Sequence, residues 1–298
     1  MITIKDILDK YHNQIDCLDL EILIANSLGK TREFVLIHPE HKPTKSQISK
    51  LESQISRRAQ GEPVAYIVGH KEFYGLDFEV NKHTLVPRPE TELMVEQVLS
   101  SVINHHDKIN VIDVGTGSGN IIISIANLDS RLRGNDKIEF YAIDISEDAL
   151  KIAKQNAKQN GVGGKIKFLH GSLLEPILKK CSMLHDPCSM IITANLPYLS
   201  KEVYDSTPVD VKKFEPKTAL YSPEAGLQHY RKLLEQVKNQ VIGHQSSVIL
   251  FLEFSPEQKT SLSKLIKSIL PQAEISFTKD LAGKWRICKV TIHTSPSP

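Results

Sequence analysis

The stretch MIITANLPYLS, residues 190–200, constrains this chain more than any other. Met190, Ile191 and Ile192 form an apolar run with no polar face, the pattern of a strand covered on both sides. The run stops at Asn195-Leu196-Pro197-Tyr198. An amide side chain and a stiffened backbone therefore stand at the strand's carboxyl end, the edge where open α/β sheets bind their ligands. Pro197 biases Leu196 toward an extended conformation and so fixes where the Leu196 carbonyl points. Asn195 Oδ1 and that carbonyl are two acceptors, enough for both hydrogens of a planar NH2 group. Tyr198 offers a flat face for such a group to lie against. Together these residues describe a clamp for an amide or an aromatic amine. The same tetrapeptide also suits a plain turn at a strand end, so the choice rests on what lies upstream.

Composition sets the class. The 298 residues leave room for one large domain and a smaller one, and 40 % hydrophobic against 24 % charged residues is the profile of a globular protein. A net charge of +2 gives no electrostatic footprint for long nucleic acid. No apolar run reaches membrane-spanning length, and the first residues, MITIKDILDKYHN, lack the apolar core of a signal peptide. Cys17, Cys181, Cys188 and Cys288 are scattered and form no Cys-x-x-Cys pair, so a reduced, cytoplasmic protein is the expectation. Cys181, His185 and Cys188 lie near one another but lack a fourth ligand, and they read as a surface loop with no metal. A monomer is expected.

In chain order, residues 1–70 read as a small helical bundle. Ile7, Leu8, Tyr11 and Ile15 trace one apolar face, and Leu20, Leu23, Ile24 and Leu28 the next, with Gly29 as a stop. Thr31 suits a helix cap, and Ile48, Leu51, Ile55 and Ala59 line a further helix. Residues 71–86, with Phe73, Tyr74, Phe78 and Val80 around Gly75, read as a β-hairpin linker. Residues 87–298 alternate strands and helices, which argues for a doubly wound, mostly parallel α/β sheet. Pro89 and the acids after it suit the first turn of a helix. A strand at 110–114 runs into Gly115-Thr116-Gly117-Ser118-Gly119-Asn120, where glycines let the backbone approach a ligand at a helix amino terminus. A second strand, 138–143, ends in Asp144, placed to accept hydrogen bonds from ribose hydroxyls. A third leads into Gly171-Ser172-Leu173, and the Asn-x-Pro stretch is the fourth. A fifth, 248–253, meets Ser255-Pro256-Glu257-Gln258, a capping box whose structural explanation suffices.

A glycine-rich turn, an acid and a clamp on one sheet edge resemble the class I S-adenosylmethionine-dependent methyltransferases. The resemblance narrows with Glu62 to Ile67 (EPVAYI), Glu72 to Leu76 (EFYGL), Pro87 to Glu92 (PRPETE), Asp113 to Gly119 (DVGTGSG), Phe214 to Pro216 and Asp280 to Gly283. These resemble the glutamine N5-methyltransferases that modify the Gly-Gly-Gln glutamine of peptide chain release factors, a family that also carries a helical amino-terminal domain. The resemblance implies S-adenosylmethionine as cofactor and release factors as protein partners, with no direct nucleic-acid contact and no membrane. Carried over, it implies that Gly115, Thr116, Gly117, Ser118 and Gly119 wrap the methionine part and ribose of the cofactor and that Asp144 holds the ribose hydroxyls. Ser172 and Leu173 would lie beside the adenine. Asn195, which would also touch the cofactor, would hold the glutamine amide with Leu196, Pro197 and Tyr198, and Asn195 and Tyr198 would serve catalysis.

The chain departs from the family pattern at three places. Leu196 stands where a first of two prolines is usual, Ser172 where an acid is usual, and Phe254-Ser255 where Ile-Gly follows the strand-five glutamate. Asn-Leu-Pro-Tyr is also the form found in ribosomal RNA adenine N6-methyltransferases, the rival enzyme, although these lack PRPETE and favour a more basic protein. An inactive methyltransferase fold kept as a release-factor binding module is the non-enzymatic alternative.

Overall fold

The computed structural model describes residues 2–103, 108–132, 138–178, 189–241 and 247–293. Packing divides the chain into two units, Met1–His70 with Thr207–Glu215, and Lys71–Ser206 with Pro216–Pro298.

The smaller unit is built from amphipathic helices with local start and stop signals. Helices span Ile4–Tyr11, Cys17–Leu28, Arg32–Ile37, Lys45–Ala59 and Val64–Val68. Thr3, Asp16, Thr31 and Thr44 cap the first four through their side-chain oxygens, each satisfying donors that a helix start leaves unpaired. Gly29 ends the second helix in the left-handed conformation at φ 64°. Ile4, Ile7, Leu20, Leu23, Ile24, Val35, Leu51 and Ile55 form the core. Residues 207–215, which the sequence places within 87–298, pack with this unit instead. A Cβ on Gly61 would come within 2.9 Å of the Asp210 Cβ, a contact between residues too far apart in the chain for local pattern to reveal.

The larger unit opens with a hairpin, β1 His70–Phe73 and β2 Leu76–Glu79. Phe73 and Phe78 are buried, edge to face at 6.1 Å, in the same core as the helix Glu92–Ile103. The hairpin expected as a linker is therefore part of this unit's interior. Seven further strands form one sheet: β3 Ile109–Val114, β4 Ile138–Asp144, β5 Ile166–His170, β6 Ser189–Ala194, β7 Ser247–Glu253, β8 Glu274–Lys279 and β9 Trp285–His293. Their spatial order is β5-β4-β3-β6-β7-β9-β8, with β5 to β7 parallel and β9 antiparallel to both neighbours. This is the doubly wound, mostly parallel α/β sheet that the strand–helix alternation predicts.

Every residue of β3 and β6 is buried, because helices cover both faces and leave no solvent side to alternate toward. Successive residues feed opposite cores. Val111 and Ile191 join the helices Glu92–Ile103 and Asn120–Leu132, while Ile112 and Ile192 join Gln228–Gln236 and Lys259–Ile269. The edge strand β8 is mostly solvated along its length. Strand order reverses between β3 and β6, and a crevice opens beyond their carboxyl ends. Among the described residues, no helix is long and apolar enough to cross a membrane.

Candidate active site

A cavity of about 290 Å³ occupies that crevice, and all the residues lining it belong to the larger unit. The glycine turn after β3 forms one wall. Its backbone is pinned from beneath, with Gly115 N–H and Thr116 N–H donating to the Ile143 carbonyl at 2.8 and 3.0 Å. Asp113, buried near the end of β3, accepts from Thr116 Oγ1 at 2.6 Å and from Thr193 Oγ1 at 2.8 Å. Burial pushes the Asp113 carboxyl up to about 6, against the pull of those two hydroxyls. One carboxylate thus ties the turn to β6.

Gly115, Thr116, Gly117 and Ser118 line the cavity. Gly117 has φ 56°, and a Cβ there would meet nothing within 4 Å, so the turn is open on that side. Gly119 does not line the cavity. Its added Cβ would fall 2.7 Å from Ile123 Cδ1 and 3.2 Å from Ala153 Cβ, so its glycine serves helix packing rather than ligand contact. Asn156, fully buried on the helix Glu147–Gln159, donates to the Ser118 and Glu79 carbonyls at 2.9 and 3.0 Å and accepts from Glu79 N–H at 2.7 Å. It joins the hairpin to the glycine turn.

Asp144 faces the turn from the end of β4. Its Oδ2 accepts Gly117 N–H at 2.9 Å and its Oδ1 accepts Ser146 N–H at 2.8 Å. Burial raises its pKa, while those N–H groups and the charge of His170 work against the rise. A third N–H, that of Ile145, also bonds this carboxylate, and its four acceptor sites still leave one for a ligand. Exposed Ile145 and buried Leu173 flank it. Leu173 holds a left-handed φ of 50°, with Leu174 N–H fastened to Gln236 Oε1 at 2.9 Å beside it; such strain in a non-glycine residue concentrates at ligand sites. An open glycine backbone, a carboxylate with acceptor capacity left and apolar neighbours fit a nucleoside cofactor.

Asn195, Leu196 and Pro197 supply the wall from β6. Asn195 Nδ2 donates to Thr91 Oγ1 at 3.3 Å, and its Oδ1 has no partner among the described residues. The Tyr230 hydroxyl gives its single hydrogen to the Glu253 carbonyl and lies 3.4 Å from the Leu196 carbonyl, which is left as an acceptor. The Leu196 side chain is itself buried, 3.0 Å from where a Gly115 Cβ would sit. Tyr198 is not among the lining residues. Its half-buried ring packs against the core, and its hydroxyl donates to Glu253 Oε1 at 3.5 Å. Ser172 does line the cavity.

Several residues here escape sequence reasoning. Thr91, inside PRPETE, reads as the first turn of a helix, yet its buried hydroxyl donates to Glu253 Oε2 at 2.7 Å. Asp113 and Glu253 do carry a signal, an acid at or next to the end of a mostly apolar strand. Gln258 completes the expected capping box at Ser255, but its Nε2 also donates to the Tyr198 and Ala225 carbonyls at 2.8 Å each. His229 lines the cavity with its pKa lowered by burial and by Lys232. Among the described residues no group of His, Cys, Asp or Glu is arranged to hold a metal; Cys181, His185 and Cys188 lie outside them.

A family model described as the PrmC N-terminal domain matches residues 4–69, and one described as a methyltransferase domain matches residues 105–214. The solved hMettl16 catalytic domain in complex with MAT2A 3'UTR hairpin 6 superposes with a TM-score of 0.55, covering 82 % of this chain and 83 % of that one at 15 % identity. That likeness establishes a class I methyltransferase fold. The release factor glutamine methyltransferases of Bacillus cereus and Bacillus subtilis are each 32 % identical to this chain, over 90 % and 92 % of it and 89 % and 90 % of their own lengths. That of Enterococcus faecalis is 34 % identical over 85 % of this chain and 84 % of its own. With identity of 32 % or more running through both units and nearly the full length of these relatives, this chain belongs to the release factor glutamine methyltransferase family.

Proposed function

We propose that this chain transfers the methyl group of S-adenosylmethionine to the side-chain amide nitrogen N5 of the Gly-Gly-Gln glutamine in peptide chain release factors. The observation that carries the reading is the meeting, on neighbouring strand ends, of an open glycine turn with the acceptor pair Asn195 Oδ1 and Leu196 O. When bound, the cofactor supplies a methyl group already activated on a positively charged sulfur. Gly115, Thr116, Gly117 and Ser118 lie along its methionine part and ribose, Asp144 accepts from the ribose hydroxyls, and Ser172 and Leu173 border the base. Gly119 acts through the packing of the turn.

An amide nitrogen is a weak nucleophile because its lone pair is delocalised into the carbonyl. The protein's task is therefore positioning, which can supply about 7–11 kcal/mol of such a barrier. Asn195 Oδ1 and the Leu196 carbonyl accept the two hydrogens of the glutamine NH2 and hold the nitrogen toward the methyl. They also favour the positive charge that grows on nitrogen as the N–CH3 bond forms and the S–CH3 bond breaks to leave S-adenosylhomocysteine. The surplus N–H proton passes to water. Pro197 stiffens the loop that presents both acceptors, and Tyr198 braces it through Glu253.

All the lining residues of the cavity belong to the larger unit, and a monomeric enzyme is part of the proposal. A net charge of +2 supports a protein substrate rather than a nucleic acid, and a cytoplasmic location accords with a release-factor substrate. The test is incubation with purified release factor and S-adenosylmethionine, followed by peptide mass mapping. One methyl group on the Gly-Gly-Gln peptide is expected. Methylated ribosomal RNA beside an untouched factor would favour the adenine enzyme, and binding of the factor without transfer would favour the inactive module.

A further inference from the structure

Glu253 closes β7 in the interior, and the mechanism above gives it no part of its own. Its Oε2 accepts the single hydrogen of the Thr91 hydroxyl at 2.7 Å. Having given that hydrogen away, Thr91 Oγ1 has only lone pairs left to offer. The group that approaches it, at 3.3 Å, is accordingly the NH2 of Asn195. The other end of the same planar amide, Oδ1, is thereby left toward the substrate. Carboxylate, hydroxyl and amide form a chain whose direction is set by its first member.

The geometry points to Glu253 and Thr91 as positioning residues: through the Thr91 hydroxyl, the ionised Glu253 carboxylate holds Asn195 with its oxygen toward the substrate, and protonation of Glu253 reverses the chain. A protonated Glu253 donates to Thr91 Oγ1. The Thr91 hydrogen then turns to Asn195, which meets it with Oδ1 and presents NH2 to the cavity. Two NH2 groups facing each other cannot bond, so the reversed site rejects the amide it should hold. This inference rests on the reading of Asn195 as acceptor for the glutamine amide.

The surroundings place the switch in the working range. Facing Glu253 are Thr91 and Glu90 of the turn Pro89–Thr91, Tyr198 of the loop after β6, Arg286 on β9 and Tyr230 of the helix Gln228–Gln236. Arg286 is shared, 2.8 Å from Asp280 and 3.8 Å from Glu90. Burial pushes the Glu253 carboxyl up to about 7, and Glu90 adds to the rise, against the Thr91 hydroxyl, Arg286 and the Tyr198 hydroxyl. A glutamine amide has no titration of its own in this range, so a pH step in transfer comes from another group, and its loss in Glu253→Gln is what assigns it to Glu253 rather than to the α-amino group of the cofactor.

The experiment is single-turnover methylation of intact release factor from about pH 5.5 to about pH 8.5, at saturating cofactor. Wild type, Glu253→Gln, Thr91→Val, Thr91→Ser and Asn195→Ala are compared, with cofactor affinity measured by calorimetry for each. The wild-type rate is expected to rise through about pH 7 and level off. Glu253→Gln should lose that step. Thr91→Val should be slower by about a hundredfold at unchanged cofactor affinity, the scale of a misplaced reacting group, and Thr91→Ser should restore most of the rate. Asp113, Asp144 and His229 remain in every variant, so a step that survives in Glu253→Gln comes from a group other than Glu253 and overturns the inference. A slow Asn195→Ala beside a fast Thr91→Val also overturns it while leaving the acceptor reading in place. A wild-type rate in Asn195→Ala overturns the acceptor reading and the inference together. If Thr91→Val fails to bind cofactor, the pH profile of Glu253→Gln decides.

Discussion

Asp144 already holds the N–H groups of Gly117 and Ser146, so a ribose adds to a carboxylate whose orientation is settled. That preorganisation makes the residue costly to replace in two ways. Asp144→Ala removes the acceptor for the ribose hydroxyls and also frees the Gly117 N–H, loosening the turn. Cofactor binding is expected to weaken by about 1–3 kcal/mol, the cost of buried polar groups left unpaired. Isothermal calorimetry of the variant checks it, and unchanged affinity would remove Asp144 from the site. Asn195 is the other residue on which the chemistry turns. Asn195→Ala should slow methyl transfer by about a hundred- to a thousandfold with cofactor affinity retained, read by single-turnover kinetics.

The loop after β6 is held by elements distant from it in the chain. Gly226, at φ 84°, lies so close that an added Cβ would fall 1.9 Å from the Tyr198 carbonyl oxygen. Glu224 and Ala225 before it also adopt left-handed conformations, at φ 53° and 54°, which bends this segment against the loop. Gln258 closes the clamp by donating to the Tyr198 and Ala225 carbonyls together. Gln258→Leu keeps the bulk but leaves both carbonyls short of a donor. It should lower stability by about 1–3 kcal/mol and slow transfer while leaving cofactor affinity near wild type. Urea unfolding and calorimetry read the two effects separately. An apolar strand end and a capping box are each legible in the chain; that Gln258 reaches from one to the other, and to Ala225, is not.

At the scale of the whole molecule, residues 1–70 contribute nothing to the cavity walls. A chain beginning at Lys71 is expected to bind S-adenosylmethionine yet methylate release factor poorly, compared by calorimetry and by peptide mass mapping; full activity would leave the helical unit with a structural role only. Two buried acids set the pH dependence of stability. Asp113 and Glu253 are raised to about 6 and about 7 from 3.8 and 4.5. A raised carboxyl contributes stability that is fully present below its unfolded value and is lost as pH rises through its folded value. Glu139 runs the other way: Lys167 and Tyr141 hold it down to about 2, so its contribution is present above 4.5 and lost as pH falls through about 2. Urea midpoints should therefore fall between about pH 5 and about pH 7.5, and fall less in Glu253→Gln. Equal slopes in the two proteins would count against Glu253 as a titrating group.

Local order in this protein was determined by the sequence itself. Capped amphipathic helices, strands closed by a glycine turn or by Asn-x-Pro, and the motifs that point to a methyl transfer are each written within a few consecutive residues. Periodicity and turn chemistry act over that range, so Gly117, Asp144, Ser172 and Asn195 could be read as neighbours in a site from their places at strand ends. Tertiary structure alone decided how the clamp is held. Thr91 and Glu253 are 162 residues apart, and Asn195 and Thr91 104 apart. Their partnership depends on the strand order β3-β6-β7, which seats three distant segments on one edge. Tyr198 shows the same limit in reverse: its aromatic ring advertises a stacking face, while the packed interior commits its hydroxyl to Glu253. A buried polar group takes whichever partner the fold brings within reach, because leaving it unpaired costs more than any local preference supplies.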